Sequence, residues 1–76
     1  MSPDQCREAR GLLRWSQRDL AAAADVSPWF VIAFEDGDSP ALLAGHELDL
    51  REALEAAGLM FDGDDVTLAS RRGKLN

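Results

Sequence analysis

The stretch SQRDLAAAADVSPWFVIAFEDG, from Ser16 to Gly37, contains two short helical patterns separated by a tight break. Ser16 is a good N-cap for the first helix. Ser27 caps the second helix, and Pro28 follows in its first turn, where a missing backbone N–H does no harm. Gly37 suits the end of the second helix because glycine readily adopts the left-handed conformation. This spacing predicts a helix-turn-helix over about residues 16–37.

The second of these helices is apolar on both sides. Val31 and Phe34 are three residues apart, and we expect them to face the core. The other side follows the spacing i, i+3, i+4, i+7 and consists of Trp29, Ile32, Ala33 and Asp36. A helix that is hydrophobic all round is normally buried all round, which a domain of this size can hardly arrange alone.

The remaining residues predict a helix on each side of this unit, followed by two strands. The first helix starts near Ser2 as a capping box, and a fourth helix starts near His46 and ends at Gly58. The apolar residues 59–61 and 66–68 flank an Asp-Gly turn signal and can form a short hairpin. The predicted fold is therefore mainly α: a compact four- to five-helix bundle with a helix-turn-helix, to which a short C-terminal β-hairpin can be added.

Two charged positions on the outer helices are also assigned from spacing. Cys6 and Ala9 lie on the core side of the first helix, and we place Arg10 on its solvent side. On the fourth helix, Glu47 and Arg51 are four residues apart and are expected to form an ion pair. Residues 1–69 are expected to form one domain, and residues 70–76 a loose tail with three basic residues, Arg71, Arg72 and Lys74.

Charge and composition limit the classes of function. The 76-residue chain carries a formal charge of −6, which is unusual for a DNA-binding domain because phosphate neutralisation supplies much of the affinity for DNA. A lone cysteine, Cys6, excludes an internal disulfide and fits a reducing cytoplasm. No apolar run approaches the ~20 residues of a membrane span, and the start does not follow the order of a signal peptide. We therefore expect a cytoplasmic protein without membrane contacts.

Several motifs within residues 4–68 carry a family resemblance. They are the W-S-Q-x-x-L-A core at 15–21, the Val-Ser pair at 26–27, F-E-x-G at 34–37 and L-E-A-A-G at 54–58. Together they resemble the Xre/Cro-type helix-turn-helix family of small bacterial and phage transcription regulators. The resemblance implies a compact helical bundle, often a homodimer, that binds DNA.

The resemblance also implies roles for individual side chains. Gln17 matches the residue that anchors the second helix to the DNA backbone, and Ser27 matches a hydroxyl that touches phosphate. Arg14 and Arg18 lie close by in sequence and are candidates for further phosphate contacts. Glu35 matches an acid that pairs with a basic residue, and Arg18 and Arg14 are the partners expected here.

The base-reading positions depart from the family pattern. Relatives tend to carry Arg, Lys, Gln, Asn or Thr where this chain has Pro28, Trp29, Phe30 and Ala33. None of these four side chains can form the bidentate hydrogen bonds that identify guanine or adenine. The Trp29 indole can donate one bond, and an apolar side chain can contact a thymine methyl. In the first hypothesis the protein is a DNA-binding regulator with Trp29 and Ala33 against the groove.

Two other interpretations of the apolar third helix remain open. In one, the protein is an interaction module of the antiactivator or antirepressor type, which docks on another regulatory protein through Trp29, Phe30 and Ile32. Exposed aromatic residues are typical anchors of protein interfaces. In the other, Trp29 and Phe30 pack on the chain's own hairpin and belong to the core.

Catalytic and ligand-binding patterns are absent from the sequence. His46 has no second histidine or cysteine nearby, and Cys6 fits a small buried hydrophobe. The acidic residues 62, 64 and 65 do not follow the twelve-residue calcium-loop pattern. We therefore expect no enzymatic activity, no cofactor or metal, and no small-molecule ligand.

Overall fold

The computed structural model describes residues 1–38 and 40–68, so the expected basic tail at 70–76 lies outside the described residues. Its elements are α1 (Pro3–Leu13), α2 (Gln17–Ala24), α3 (Pro28–Glu35), α4 (Pro40–Ala56), β1 (Leu59–Asp62) and β2 (Asp65–Leu68). The mainly α fold with a C-terminal hairpin is confirmed. In the described part of the chain, no helix has the length and apolar character needed to cross a bilayer.

Serine side chains start the first three helices. Ser2, Ser16 and Ser27 each accept a hydrogen bond from the backbone N–H three residues further on. This satisfies one of the donors that a helix leaves free at its first turn. The break between α2 and α3 is tight because Asp25 ends α2 in the left-handed conformation, with φ of 59°. Aspartate tolerates that conformation better than most residues other than glycine.

The core is formed by one apolar face from each helix and from the hairpin. Leu20, Val31, Leu50 and Leu54 are fully buried at its centre, and the predicted core position of Val31 is confirmed. The other buried members of the core are Cys6, Ala9, Ala21, Phe34, Leu59 and Val66. Removing these side chains from water is the main favourable term in folding.

The start of α4 differs from the sequence prediction. The helix begins at Pro40, six residues before His46. Pro40 and Gly45 suggest a connector when taken alone, but proline is well tolerated at the first turn of a helix. A glycine in a helix interior costs only about 1 kcal/mol, which tertiary packing can offset.

The ion pairs of α4 also differ from the prediction. Arg51 pairs with Glu55 at 3.2 Å and not with Glu47. Glu47 instead accepts a hydrogen bond of 2.6 Å from the α-ammonium group of Met1. Glu47 and Glu55 are each four residues from Arg51, so the i,i+4 rule alone does not show which of them pairs with it.

The hairpin packs on the outer helices. Leu59 pairs with Leu68 and Asp62 with Asp65, so that a two-residue turn joins the strands. Gly63 in this turn has φ of 61°, a conformation that glycine adopts without strain. The main helix contacts of β1 are with α4 and those of β2 with α1. The hairpin therefore closes the core from the side of α1 and α4.

Candidate functional site

The centre of the α2–α3 region is a buried carboxylate, that of Glu35 at the end of α3. Arg10 on α1 holds both of its oxygens, from Nε to Oε2 at 2.7 Å and from Nη2 to Oε1 at 2.8 Å. Gln17 on α2 donates from Nε2 to Oε1 at 3.1 Å. The Cys6 thiol lies 3.2 Å from Oε2 and donates to it. One side chain therefore links α1, α2 and α3.

Two further bonds from α1 fix the backbone around this carboxylate. Arg7 donates from Nη1 to the carbonyl oxygen of Glu35 at 2.7 Å. Arg10 donates its remaining Nη1 to the carbonyl oxygen of Trp15 at 3.0 Å, just before α2 begins. Since a bidentate arginine bond is geometrically specific, these contacts fix where α3 ends relative to α2. We refer to Cys6, Arg7, Arg10, Gln17 and Glu35 as the Glu35 cluster.

The Glu35 cluster sets the protonation of its members. Burial by itself favours the neutral acid, but hydrogen bonds from Arg10, Cys6 and Gln17 outweigh it and hold the pKa of Glu35 below its usual value. The pKa of the Cys6 thiol is raised by burial and by the adjacent carboxylate. The bond to Glu35 raises the pKa of Arg10. The cluster is thus a charged pair with a neutral thiol beside it.

The partner of Glu35 is a correction to the sequence prediction. It is Arg10, and neither Arg14 nor Arg18 takes that place. The placement of Arg10 on the solvent side of α1 is likewise wrong, because its side chain is only 18% exposed. Arg10 follows Cys6 by four residues and therefore shares its inward face. A long arginine stem can lie along apolar surface while its head reaches a buried acid.

The side chains of Gln17 and Ser27 both form hydrogen bonds within the fold. Gln17 is half-buried and gives one amide N–H to Glu35. The amide carries a second N–H, so a phosphate contact is compatible with this position. The hydroxyl of Ser27 accepts a bond from the backbone N–H of Phe30 at 3.3 Å and is exposed.

The outer side of α3 carries the apolar residues that the sequence placed there. Trp29 is 77% exposed, which excludes it from the core. Pro28 is exposed and Ile32 is half-buried, whereas Ala33 is half-buried and also packs against the core. We call Pro28, Trp29, Ile32 and Ala33 the α3 outer face.

Phe30 is separated from the α3 outer face. Its ring lies 6.3 Å from the ring of Phe34 and meets His46 of α4 edge-on at 5.4 Å. Phe30 is therefore half-buried between α3 and α4. The structure brings together Trp29 and Ile32 of the proposed protein-docking set, but it assigns Phe30 mainly to packing.

Exposed charged residues of both signs lie before and after α3 along the chain. Arg14 and Arg18 are exposed, and their side chains make no hydrogen bond or ion pair with the described residues. Asp25 precedes α3, and Asp36 and Asp38 follow it; all three are exposed. Cations suited to phosphate are thus present before α3, whereas its two ends are acidic.

Comparisons with known proteins find a similarity to part of a longer enzyme. The chain is 38% identical, over 61 residues and 80% of its length, to a malonyl CoA-acyl carrier protein transacylase of Salmonella typhimurium. It spans about one fifth of the length of that protein, 20%. No family model matches the chain. No solved structure matches it.

The Glu35 cluster predicts a large effect from a small substitution. Glu35→Gln leaves Arg10 partly buried without its charge partner, so we expect the free energy of unfolding to fall by about 3 kcal/mol. The matched control is Glu55→Gln, which removes the exposed pair with Arg51 and should cost less than about 1 kcal/mol. Urea unfolding followed by circular dichroism measures both.

The same pair of variants gives a pH test. Because the pKa of Glu35 is lowered on folding, its ionised form contributes stability that is complete above the unfolded pKa, near 4.5. This contribution is lost as the pH falls through the folded pKa. The native protein should therefore lose more stability on acidification than Glu35→Gln. Equal losses in the two proteins, or equal effects of Glu35→Gln and Glu55→Gln at pH 7, would contradict the role assigned to the cluster.

Proposed function

We propose that the protein is a small cytoplasmic transcription regulator of the Xre helix-turn-helix type, which binds DNA with α3. The observation that carries this proposal is the exposed α3 outer face on a helix whose end is fixed to α1 and α2 by Glu35. A DNA-reading helix needs one face in a rigid core and the other free for the major groove. The family resemblance of the motifs supports the same assignment.

The proposed contacts follow from the placement of the side chains. Arg14 and Arg18 contact phosphates, and both are exposed and without a partner among the described residues. Gln17 and Ser27 contact the backbone of the DNA from the start of α2 and of α3. Pro28, Trp29 and Ala33 lie against the groove.

A homodimer is part of this proposal. The formal charge of −6 and the acidic ends of α3 weaken the attraction to phosphate, so one copy alone binds DNA poorly. Two copies on two half-sites combine their affinities through an effective local concentration. This arrangement offsets the small number of cations on each copy.

Acyl transfer, suggested by the name of the similar Salmonella protein, is the competing enzymatic hypothesis. We propose no enzymatic activity for this chain. A nucleophile for acyl transfer needs an adjacent base or a lowered pKa. Ser2, Ser16 and Ser27 use their hydroxyls as helix caps, and the Cys6 thiol is buried with a raised pKa. These four described side chains are therefore poor candidates for that nucleophile.

The DNA proposal predicts a weak salt dependence. Binding sites are selected from a random duplex library at low salt, and the association constant is then measured against salt concentration. Two arginine–phosphate contacts per copy make four contacts per dimer, which give a slope of about −4 in the plot of log K against log salt, because each neutralised phosphate contributes about −0.9. Arg18→Ala should reduce the slope by about 1 per copy. Arg51→Ala on α4 is the matched control and should leave it unchanged. Failure to enrich any duplex at low salt would contradict DNA binding.

Docking on another regulatory protein is a second candidate function. The observation that favours it is the combination of the exposed Trp29 with the acidic residues Asp25, Asp36 and Asp38 at the two ends of α3. Large exposed aromatic residues are typical anchors of interfaces, and carboxylates at the rim repel DNA.

The docking candidate predicts a partner that depends on Trp29. In a pulldown from host-cell extract scored for protein and nucleic acid, Trp29→Ala should lose the partner protein. Leu48→Ala, which truncates a residue of α4 that is 60% exposed, should retain it and serves as the control. If Trp29→Ala and Leu48→Ala retain the partner protein equally well, the partner does not dock through Trp29.

A further inference from the structure

The α3 outer face is almost without hydrogen-bonding groups. Between Pro28 and Glu35, the side chains with hydrogen-bonding atoms are those of Trp29 and Glu35. Glu35 is 4% exposed and is occupied by its cluster. The indole N–H of Trp29 is therefore the one polar side-chain group that α3 can offer to a base.

This composition restricts which bases α3 can recognise. The edges of guanine, adenine and cytosine in the major groove carry donors and acceptors, whereas thymine also carries an apolar C5-methyl group. When Ile32 or Ala33 covers a donor or acceptor of a base, that group loses its hydrogen bond to water and gains none from the protein, which is unfavourable. Covering a thymine methyl removes apolar surface from water, which is favourable.

We infer that the α3 outer face selects DNA sites by thymine methyl groups, with Trp29 and Ala33 as the specificity-determining residues. This inference rests on the proposed DNA-binding function and names the class of site that it recognises. The occupant is DNA because the exposed Arg14 and Arg18, which have no partner among the described residues, are complementary in charge to phosphate. Asp25, Asp36 and Asp38 at the ends of α3 oppose this attraction and weaken it.

The spacing of the two residues gives the spacing of the thymines. Trp29 and Ala33 are four residues apart, or about 6 Å along the axis of α3. With α3 lying along the groove, this distance corresponds to about two base-pair steps of ~3.4 Å. The inferred half-site therefore contains two thymine methyls about two base pairs apart, and an acceptor for the Trp29 indole N–H lies beside one of them.

Replacing thymine by deoxyuracil tests this inference, because it removes the methyl and keeps every hydrogen-bonding group. The full chain is used to select duplexes from a random library, and each thymine of the enriched site is then replaced singly. At the two contacted positions we expect affinity to fall about fourfold, the effect of one buried methyl. Replacement of thymines in the flanking sequence should change nothing.

Combining protein variants with the deoxyuracil replacements shows which side chain contacts each methyl. Trp29→Ala should abolish the deoxyuracil effect at one position, and Ala33→Gly should reduce it at the other. Leu48→Ala should preserve both effects. Since Trp29 is largely exposed, its truncation should leave the helical circular dichroism unchanged, and that measurement accompanies each variant.

The outcomes separate this inference from the function on which it rests. Enriched duplexes that show no deoxyuracil effect overturn recognition by methyl groups and leave DNA binding intact. No enrichment at any salt concentration overturns both, and capture of a Trp29-dependent protein in the pulldown then assigns the face to a protein partner.

Discussion

A carboxylate taken out of water needs a charged partner and hydrogen bonds for each of its oxygens. In this fold that constraint falls on Glu35, and three helices meet it together. Arg10 supplies the charge and two bonds, and Gln17 and Cys6 supply the others. Because the donors come from α1 and α2, the end of α3 cannot move without breaking bonds that the buried carboxylate requires. The Glu35 cluster thus ties the end of α3 to α1 and α2.

The position of α3 matters because one of its sides packs in the core and the other faces solvent. Val31 and Phe34 are buried in the core, while Trp29 on the outer side stays in contact with solvent. Burial of an aromatic ring of this size is favourable, yet the fold leaves Trp29 77% exposed. The Glu35 cluster and the α3 outer face are therefore linked, since one fixes the helix that presents the other. Apart from the indole N–H of Trp29, the exposed and half-buried side chains of α3 are apolar.

Local rules predicted much of this molecule from its sequence. The serine caps, the tight break before Ser27 and the apolar periods defined α1, α2 and α3, and the Asp-Gly signal located the hairpin. Two features depended on tertiary contacts. The first turns of α4 contain Pro40 and Gly45, which suggest a connector until packing is considered.

The second feature that depended on tertiary contacts is the Glu35 cluster. The family resemblance implied that Glu35 pairs with a basic residue, but its partner Arg10 was placed in solvent because charged residues usually lie there. The four-residue spacing of Cys6 and Arg10 on the inward face of α1 was the signal that could have located the pair. Spacing alone does not show which arginine reaches across to another helix, since that depends on how the helices pack.

We propose that α3, held by the Glu35 cluster, presents Trp29 as the contact with DNA. The chain has two tryptophans, and their indole N–H resonances in a ¹H–¹⁵N spectrum report on two different places. Trp29 lies on the α3 outer face, and Trp15 packs against the core. On titration with a selected duplex, the account predicts a large shift of the Trp29 indole resonance and a small shift of that of Trp15. Binding that moves resonances of α4 or the hairpin while that of Trp29 stays in place would contradict it.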